Sequence, residues 1–164
     1  MVSFVLKTII TSFLAVLVII ALIFSYKSQK VKSSKLLVVN VLDDTLYSDC
    51  HIVNSLHVPF ENVEDFIVNL ARDTEVVFYC SNCQCTASGY AARKAREAGI
   101  GNAWAYEAGI AEWYQKGYPV NGPCKQSYLN KKIEEPEKSL AQDFDMTTEE
   151  LARKMQVESE KKAR

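Results

Sequence analysis

The chain has 164 residues, 48% of them hydrophobic and 24% charged, with a formal net charge of −1. That length holds one domain with appendages, and the composition excludes both a wholly disordered chain and a nucleic-acid binder built on net positive charge. The charge is unevenly spread: residues 1–35 carry five Lys and no acid (net +5), residues 36–124 hold eleven Asp/Glu against five Lys/Arg (net −6), and residues 125–164 hold nine of each.

Thr8 to Tyr26 is a run of nineteen uncharged residues rich in Ile, Leu, Val and Phe, bounded by Lys7 and Lys27. As a helix it would span ~28 Å, near the ~30 Å hydrocarbon core of a bilayer. Phe24 and Tyr26 fall where an aromatic belt lies. The reading is a single-pass transmembrane anchor over residues 1–27, with residues 8–26 in the bilayer. A cleaved export signal is the rival; the length of the run and the poor small-x-small sites at Ala21-Leu22-Ile23 and Ile23-Phe24-Ser25 argue against it. Four Lys follow the span, against Lys7 and the α-amino group before it, which favours a cytoplasmic C-terminal domain. Residues 28–35 form a polar linker without apolar periodicity.

Residues 36–124 alternate strand and helix patterns. Leu36 to Val41 is a short, nearly continuous apolar run, as in a buried parallel strand. Asn62 caps a helix expected through Arg72, with Val63, Phe66, Ile67 and Leu70 on one face and Glu64 and Asp65 in its first turn. Glu75 to Tyr79 is a second buried strand. A helix beginning at Thr86 or Ser88 runs through Ala98 and stops at Gly99. Ala103 to Tyr106 reads as a third strand, and Ile110 to Lys116 as a short helix ending at Gly117. This predicts an α/β domain with a mainly parallel central sheet flanked by helices.

Ligands of such sheets bind beyond the carboxyl ends of the strands, and Cys80 lies at that end of the second one. A thiol between a strand end and a helix N-terminus faces the helix dipole and unpaired backbone N–H groups. Both favour the thiolate, which is the nucleophile. The bland alternative is a small buried hydrophobe.

The surrounding motifs weigh against that alternative. Tyr47-Ser48-Asp49-Cys50-His51-Ile52 with Val58-Pro59, Val76 to Cys80, Ala105 to Trp113, and Gly117 with Tyr118-Pro119-Val120 together resemble the rhodanese-like family. They are similar, in order, to its Tyr-x-x-Gly-His-Ile segment, its strand ending in the nucleophilic cysteine, its Gly-Gly-x-x-x-Trp segment and its closing Gly-x-Pro-Val. The resemblance covers about half the chain. It implies a sulfurtransferase or persulfide carrier, with sulfane sulfur held on Cys80 and passed to a thiophilic acceptor. The substrate-binding loop would be Ser81, Asn82, Cys83, Gln84, Cys85 and Thr86, whose amides cradle the transferred sulfur. Donor and acceptor would be small-molecule or protein persulfides and thiols, and no cofactor is required.

This chain departs from that pattern in four places. Asn40-Val41-Leu42 stands where the family has Asp-x-Arg, so a buried ion pair is missing. Cys50 replaces the Gly before His51, and Ala108 replaces one Gly of the pair. The loop has no Arg and is about two residues longer than a short sulfurtransferase loop, which weakens the case for a dianion such as thiosulfate.

Three thiols within six residues open a second reading. Cys80-x-x-Cys83 at a strand-to-helix junction also fits a thiol–disulfide oxidoreductase, and Cys83 or Cys85 could resolve a persulfide or sulfenic acid on Cys80. A third reading is a non-catalytic rhodanese fold acting as a binding module. Zinc on Cys80, Cys83, Cys85 and Cys124 or His51 is disfavoured because only one Cys-x-x-Cys exists, so no metal site is expected. A phosphatase would need an Arg closing the loop, and the nearest, Arg93, falls inside the next helix. Five cysteines cannot all pair within one chain, which fits a reducing compartment better than a disulfide framework. His51 and His57 read as structural, and Trp113 and Tyr114 as core. Residues 125–164 form a charged, partly helical tail in which Thr147 to Glu150 is a capping-box start. Leu151 and Met155 share a face of that helix, and the tail is expected to be a solvated helix or a disordered end, with docking of a protein partner as the alternative.

Overall fold

Val76 to Tyr79 has every residue buried, as a strand covered on both faces requires. In this computed structural model, which describes residues 36–131, 141 and 143–156, that segment lies inside a four-stranded parallel sheet. The strands are β1 (Leu37–Asn40), β3 (Leu56–His57), β4 (Val76–Tyr79) and β5 (Ala103–Tyr106), in the order β3-β1-β4-β5. Residues 8–26, where the anchor is expected, and 28–35 lie outside the described residues. No described helix is long and apolar enough to cross a membrane.

The helices follow the apolar periodicity with local adjustments. α1 (Asp44–Asp49), absent from the sequence reading, starts where the Asp43 carboxylate accepts from Leu46 N at 2.9 Å. α2 (Val63–Val68) is shorter than the helix expected from Asn62 to Arg72. Asn62 belongs instead to a 3-10 turn (Phe60–Asn62) and makes no side-chain cap, while Asn69 Nδ2 donates back to Asp65 O at 2.7 Å where the helix ends. α3 (Ala87–Glu97) buries Ala91, Ala92 and Ala95 and stops ahead of Gly99, whose φ of 91° is the left-handed value expected of a C′ glycine. α4 (Gly109–Gln115) buries Ile110, Ala111 and Trp113. Trp113 packs against Tyr106 and Tyr118 and donates from Nε1 to Pro119 O at 2.9 Å.

A second, two-stranded sheet pairs β2 (His51–Ile52) with β6 (Val120–Asn121) in antiparallel register. Tyr79, at the end of β4, ties this region to the main sheet. Its buried hydroxyl bonds Ser55 Oγ at 2.8 Å and accepts from Ile52 N at 3.0 Å, and burial pushes its pKa up to about 12.

The chain beyond residue 124 contributes to the same core. Helix α5 (Thr148–Met155) begins as the capping-box reading requires, with the Thr147 side chain accepting from Glu150 N at 3.2 Å. Its expected role as a solvated or partner-docking helix is corrected: Leu151 and Ala152 are fully buried in this domain's own core, together with Leu129 and Met146. Each large side chain so covered stabilises the fold by about 1.5–3 kcal/mol. Tyr106 Oη and Thr148 Oγ1 meet at 2.9 Å, and Thr148 donates to Glu112 Oε1, which fastens α5 to β5 and α4. Just before α5, Ala105 N donates to Phe144 O at 3.0 Å and Met146 N to Ala105 O at 2.7 Å.

Candidate active site

Cys80 follows β4 directly, as expected, and its loop is held from the opposite side by α4. The first N–H groups of a helix lack internal partners; here Ile110 N donates to Cys80 O and Ala111 N to Ser81 O, both at 3.0 Å. Gly109 makes the approach feasible. It has φ of 65°, and a Cβ there would lie 2.7 Å from Cys80 O and from Asn82 N. Asn82 then folds the loop back: its side-chain oxygen accepts from Gln84 N at 3.0 Å and its carbonyl from Cys85 N at 2.9 Å.

That turn brings Cys85 back beside Cys80. Cys80 is fully buried, with Sγ donating to Cys85 O at 3.1 Å and lying 3.3 Å from Ser88 Oγ. Its hydrogen bond to the Cys85 thiol and its burial push its pKa up. Cys85 is half-buried and its pKa is pulled down to about 6, first by the Cys80 S–H and then by the amides of Ala87 and Ser81. The neighbouring thiol and burial thus oppose ionisation of Cys80, while Cys85 is favoured as the anion. The start of α3 acts on both thiols, through the Ala87 amide on Cys85 and through Ser88 on Cys80, where burial outweighs it. Cys83 is half-exposed and outside any disulfide.

Two cysteines behave otherwise than expected. Cys50 and Cys124 form a disulfide across 74 residues, so the reading against any disulfide is corrected. One pair leaves three thiols, and the odd count is no obstacle to it. This bond removes Cys124 from any zinc set, and among the described residues no group of three or more His, Cys, Asp or Glu is placed to hold a metal. His51 and His57 are structural, as expected. Both rings stack on that of Tyr47, at centroid distances of 4.0 and 4.1 Å, with His51 Nδ1 bonded to Tyr47 O and His57 Nε2 to Leu42 O.

The disulfide starts a strap that the sequence did not reveal. Cys124 N donates to Asp49 O at 2.8 Å, and the Asp49 carboxylate accepts from Lys125 N at 3.0 Å and Gln126 N at 3.1 Å. A 3-10 turn (Ser127–Asn130) follows and packs on α4, where Gln115 Nε2 donates to Leu129 O at 2.9 Å and Lys131 O at 3.0 Å. Tyr128 on this turn has a buried hydroxyl with no hydrogen-bond partner among the described residues. Burial and the nearby Asp49, Cys80, Asp43 and Cys85 push its pKa up to about 12. Nothing in the charged tail marks this strap; only the pairing of Cys50 with Cys124 could have shown that the chain returns here.

The family model described as "Rhodanese-like domain" matches residues 25–116. This chain belongs to the rhodanese-like domain family. Over 90 residues it is 28% identical to an HTH-type transcriptional regulator of Mycobacterium tuberculosis, covering 55% of this chain and 39% of that protein. The chain thus spans about two-fifths of the length of that curated relative. Among solved structures it is similar to the BH2092 protein of Bacillus halodurans, at 25% identity and a TM-score of 0.49, covering 65% of this chain and 75% of the other. A thiosulfate sulfurtransferase of Pseudomonas aeruginosa matches at 17% identity and a TM-score of 0.47, over 53% of this chain and 17% of that one. The rhodanese-like family includes sulfurtransferases and also non-catalytic members. The strap that carries Tyr128 lies beyond the matched rhodanese-like segment.

Proposed function

We propose that this rhodanese-like protein is a sulfurtransferase and persulfide carrier in which Cys85 attacks and Cys80 assists. The observation that carries the reading is the contact between the two cysteines: buried Cys80 donates from Sγ to Cys85 O at 3.1 Å, beside the half-exposed Cys85, whose pKa is pulled down. At neutral pH the Cys85 thiolate attacks the outer sulfur of a persulfide R–S–SH. The S–S bond breaks, Cys85–S–SH forms and RS⁻ leaves. A thiophilic acceptor then takes the sulfur. Without an acceptor, the Cys80 thiol attacks the Cys85 sulfur, forming a Cys80–Cys85 disulfide and releasing hydrogen sulfide. That last step also supports a second reading, thiol–disulfide exchange, with Cys85 rather than Cys83 as the partner of Cys80.

Residues 8–26 are proposed to anchor the domain to a membrane. The Cys50–Cys124 disulfide argues for the oxidising side of that membrane, because such bonds persist there; this reverses the orientation favoured by the Lys count. An impermeant thiol reagent that labels Cys85 in intact cells supports the reversal, and protection from it restores the cytoplasmic placement.

The deciding experiment is peptide mass spectrometry of the full chain after exposure to a persulfide donor. One added sulfur is expected on the peptide carrying Cys85, lost in Cys85→Ser and retained in Cys83→Ser. Uptake that persists in Cys85→Ser and disappears in Cys80→Ser returns the carrier role to Cys80. No uptake in the parent rejects sulfur transfer.

A further inference from the structure

The buried face of α3 is built of Gly89, Ala91, Ala92 and Ala95, with Ser88 as its one polar side chain. A hydroxyl is costly to bury unless it is hydrogen-bonded, and Ser88 Oγ lies 3.3 Å from the Cys80 sulfur. The direction of that bond follows from the proton count. Cys80 Sγ carries one proton, and two carbonyl oxygens face it, Cys85 O at 3.1 Å and Asn82 O at 3.8 Å. Both can only accept, so the Cys80 proton is taken up there and the Ser88 O–H donates to the sulfur. The carbonyls hold Cys80 as a thiol. Ser88 favours its anion, which is the attacking form.

Cys80 needs that anion once Cys85 is loaded. We propose that Ser88 is a catalytic residue of the release step, its hydroxyl donating to Cys80 Sγ as this sulfur attacks Cys85, and that it thereby sets how long a sulfur cargo stays on the protein. The assignment rests on the reading of Cys85 as the loaded thiol. In Cys85–S–SH, a bond forms between Cys80 Sγ and Cys85 Sγ while the bond from Cys85 Sγ to the outer sulfur breaks. The electron pair leaves with the outer sulfur as hydrosulfide, which takes the Cys80 proton and departs as hydrogen sulfide. The outer sulfur is reduced and the two cysteines are oxidised to a disulfide, with no further reactant. An acceptor thiol competes for the same sulfur, so loss of the hydroxyl favours transfer over release.

The test uses the full chain carrying Cys83→Ser, which leaves Cys80 and Cys85 as its free thiols, and an aromatic disulfide whose thiolate is coloured. The reagent loads Cys85 as a mixed disulfide and frees one thiolate; attack of Cys80 on Cys85 Sγ then frees a second. Peptide mass spectrometry places the adduct on Cys85 and identifies the product as a Cys80–Cys85 disulfide. In Ser88→Ala the second phase should slow roughly tenfold, as a hydrogen bond to an anion is lost, and its pH midpoint should rise. The first phase should keep its rate and its midpoint. A second phase that is unchanged in Ser88→Ala, or absent before that substitution, overturns the proposal. So does an adduct found first on Cys80, and so does a slowing of both phases together, which marks a packing role. Sulfur uptake from a persulfide donor is measured separately: if the two phases behave as expected while no sulfur is taken up, Ser88 keeps its role in disulfide formation and the sulfurtransferase reading is what fails.

Discussion

Gly109 lies directly against the carbonyl of Cys80, and no other residue fits there. A side chain at this position would meet Cys80 O and the Ser81 carbonyl carbon at 2.7 Å, and φ is already 65°. Gly109→Ala should therefore cost more than about 1 kcal/mol, from the left-handed backbone together with the clash. Denaturant unfolding measures that loss. Displacement of the loop should also weaken the bond from Cys80 to Cys85, so Cys85 alkylation should need a higher pH in this variant.

The Cys85 thiolate gives the simplest direct measurement. Alkylation of Cys85 by iodoacetamide, followed against pH, should show a midpoint at about 6, far below an ordinary thiol. Cys80 contributes most to that depression through its S–H. Cys80→Ala should move the midpoint upward, while Cys83→Ser should leave it in place. A midpoint in the ordinary thiol range for the parent protein would refute the thiol–thiolate pair.

Asp145 should leave its mark on stability against pH. Burial pushes its carboxyl up from 3.8 to about 6, although the Glu107 amide donates to Oδ1 at 3.1 Å and opposes the shift. A carboxyl with a raised folded pKa binds its proton more tightly in the native state than in the unfolded one. Its contribution is thus fully present below about pH 4 and is lost as pH rises through about 6. Asp145→Asn should flatten the stability profile across that window and leave the profile above it unchanged. Chemical denaturation at a series of pH values reads both parts.

Cys124→Ser opens the bond to Cys50. Closing a loop of 74 residues stabilises by about 4 kcal/mol in the chain-entropy description, so a loss of that order is expected in unfolding experiments. Cys124 also holds a left-handed φ of 48°, which the bond helps to enforce. The pH midpoint of Cys85 should stay near the parent's, since Cys80, Ala87 and Ser81 set it.

Much of the scaffold was legible because local and global signals agreed. The apolar run ending at Tyr79 and the stop at Gly99 are short-range features, and they located β4, Cys80 and α3 to within a residue or two. β2 and β6 are two residues each, too short for any period to register. The site was less legible. Its location followed from Cys80 alone, but the ionisation state depends on the turn at Asn82, which carries Cys85 back beside Cys80. Helix α5 announced its start through Thr147, whereas its burial depends on Tyr106 meeting Thr148 across 42 residues. The disulfide joins residues 74 apart and left no mark that cysteine counting could detect.

The pairing of Phe144 and Met146 with Ala105 has a consequence for association between copies. β5 is the last strand of the sheet, and a flank of that kind offers unpaired amides and carbonyls to any extended segment. Here the chain covers its own flank, since Ala105 both donates to Phe144 and accepts from Met146. Shortening the protein before Phe144 would leave that row open beside Tyr106 and invite intermolecular strand addition, so the segment leading into α5 also guards against aggregation.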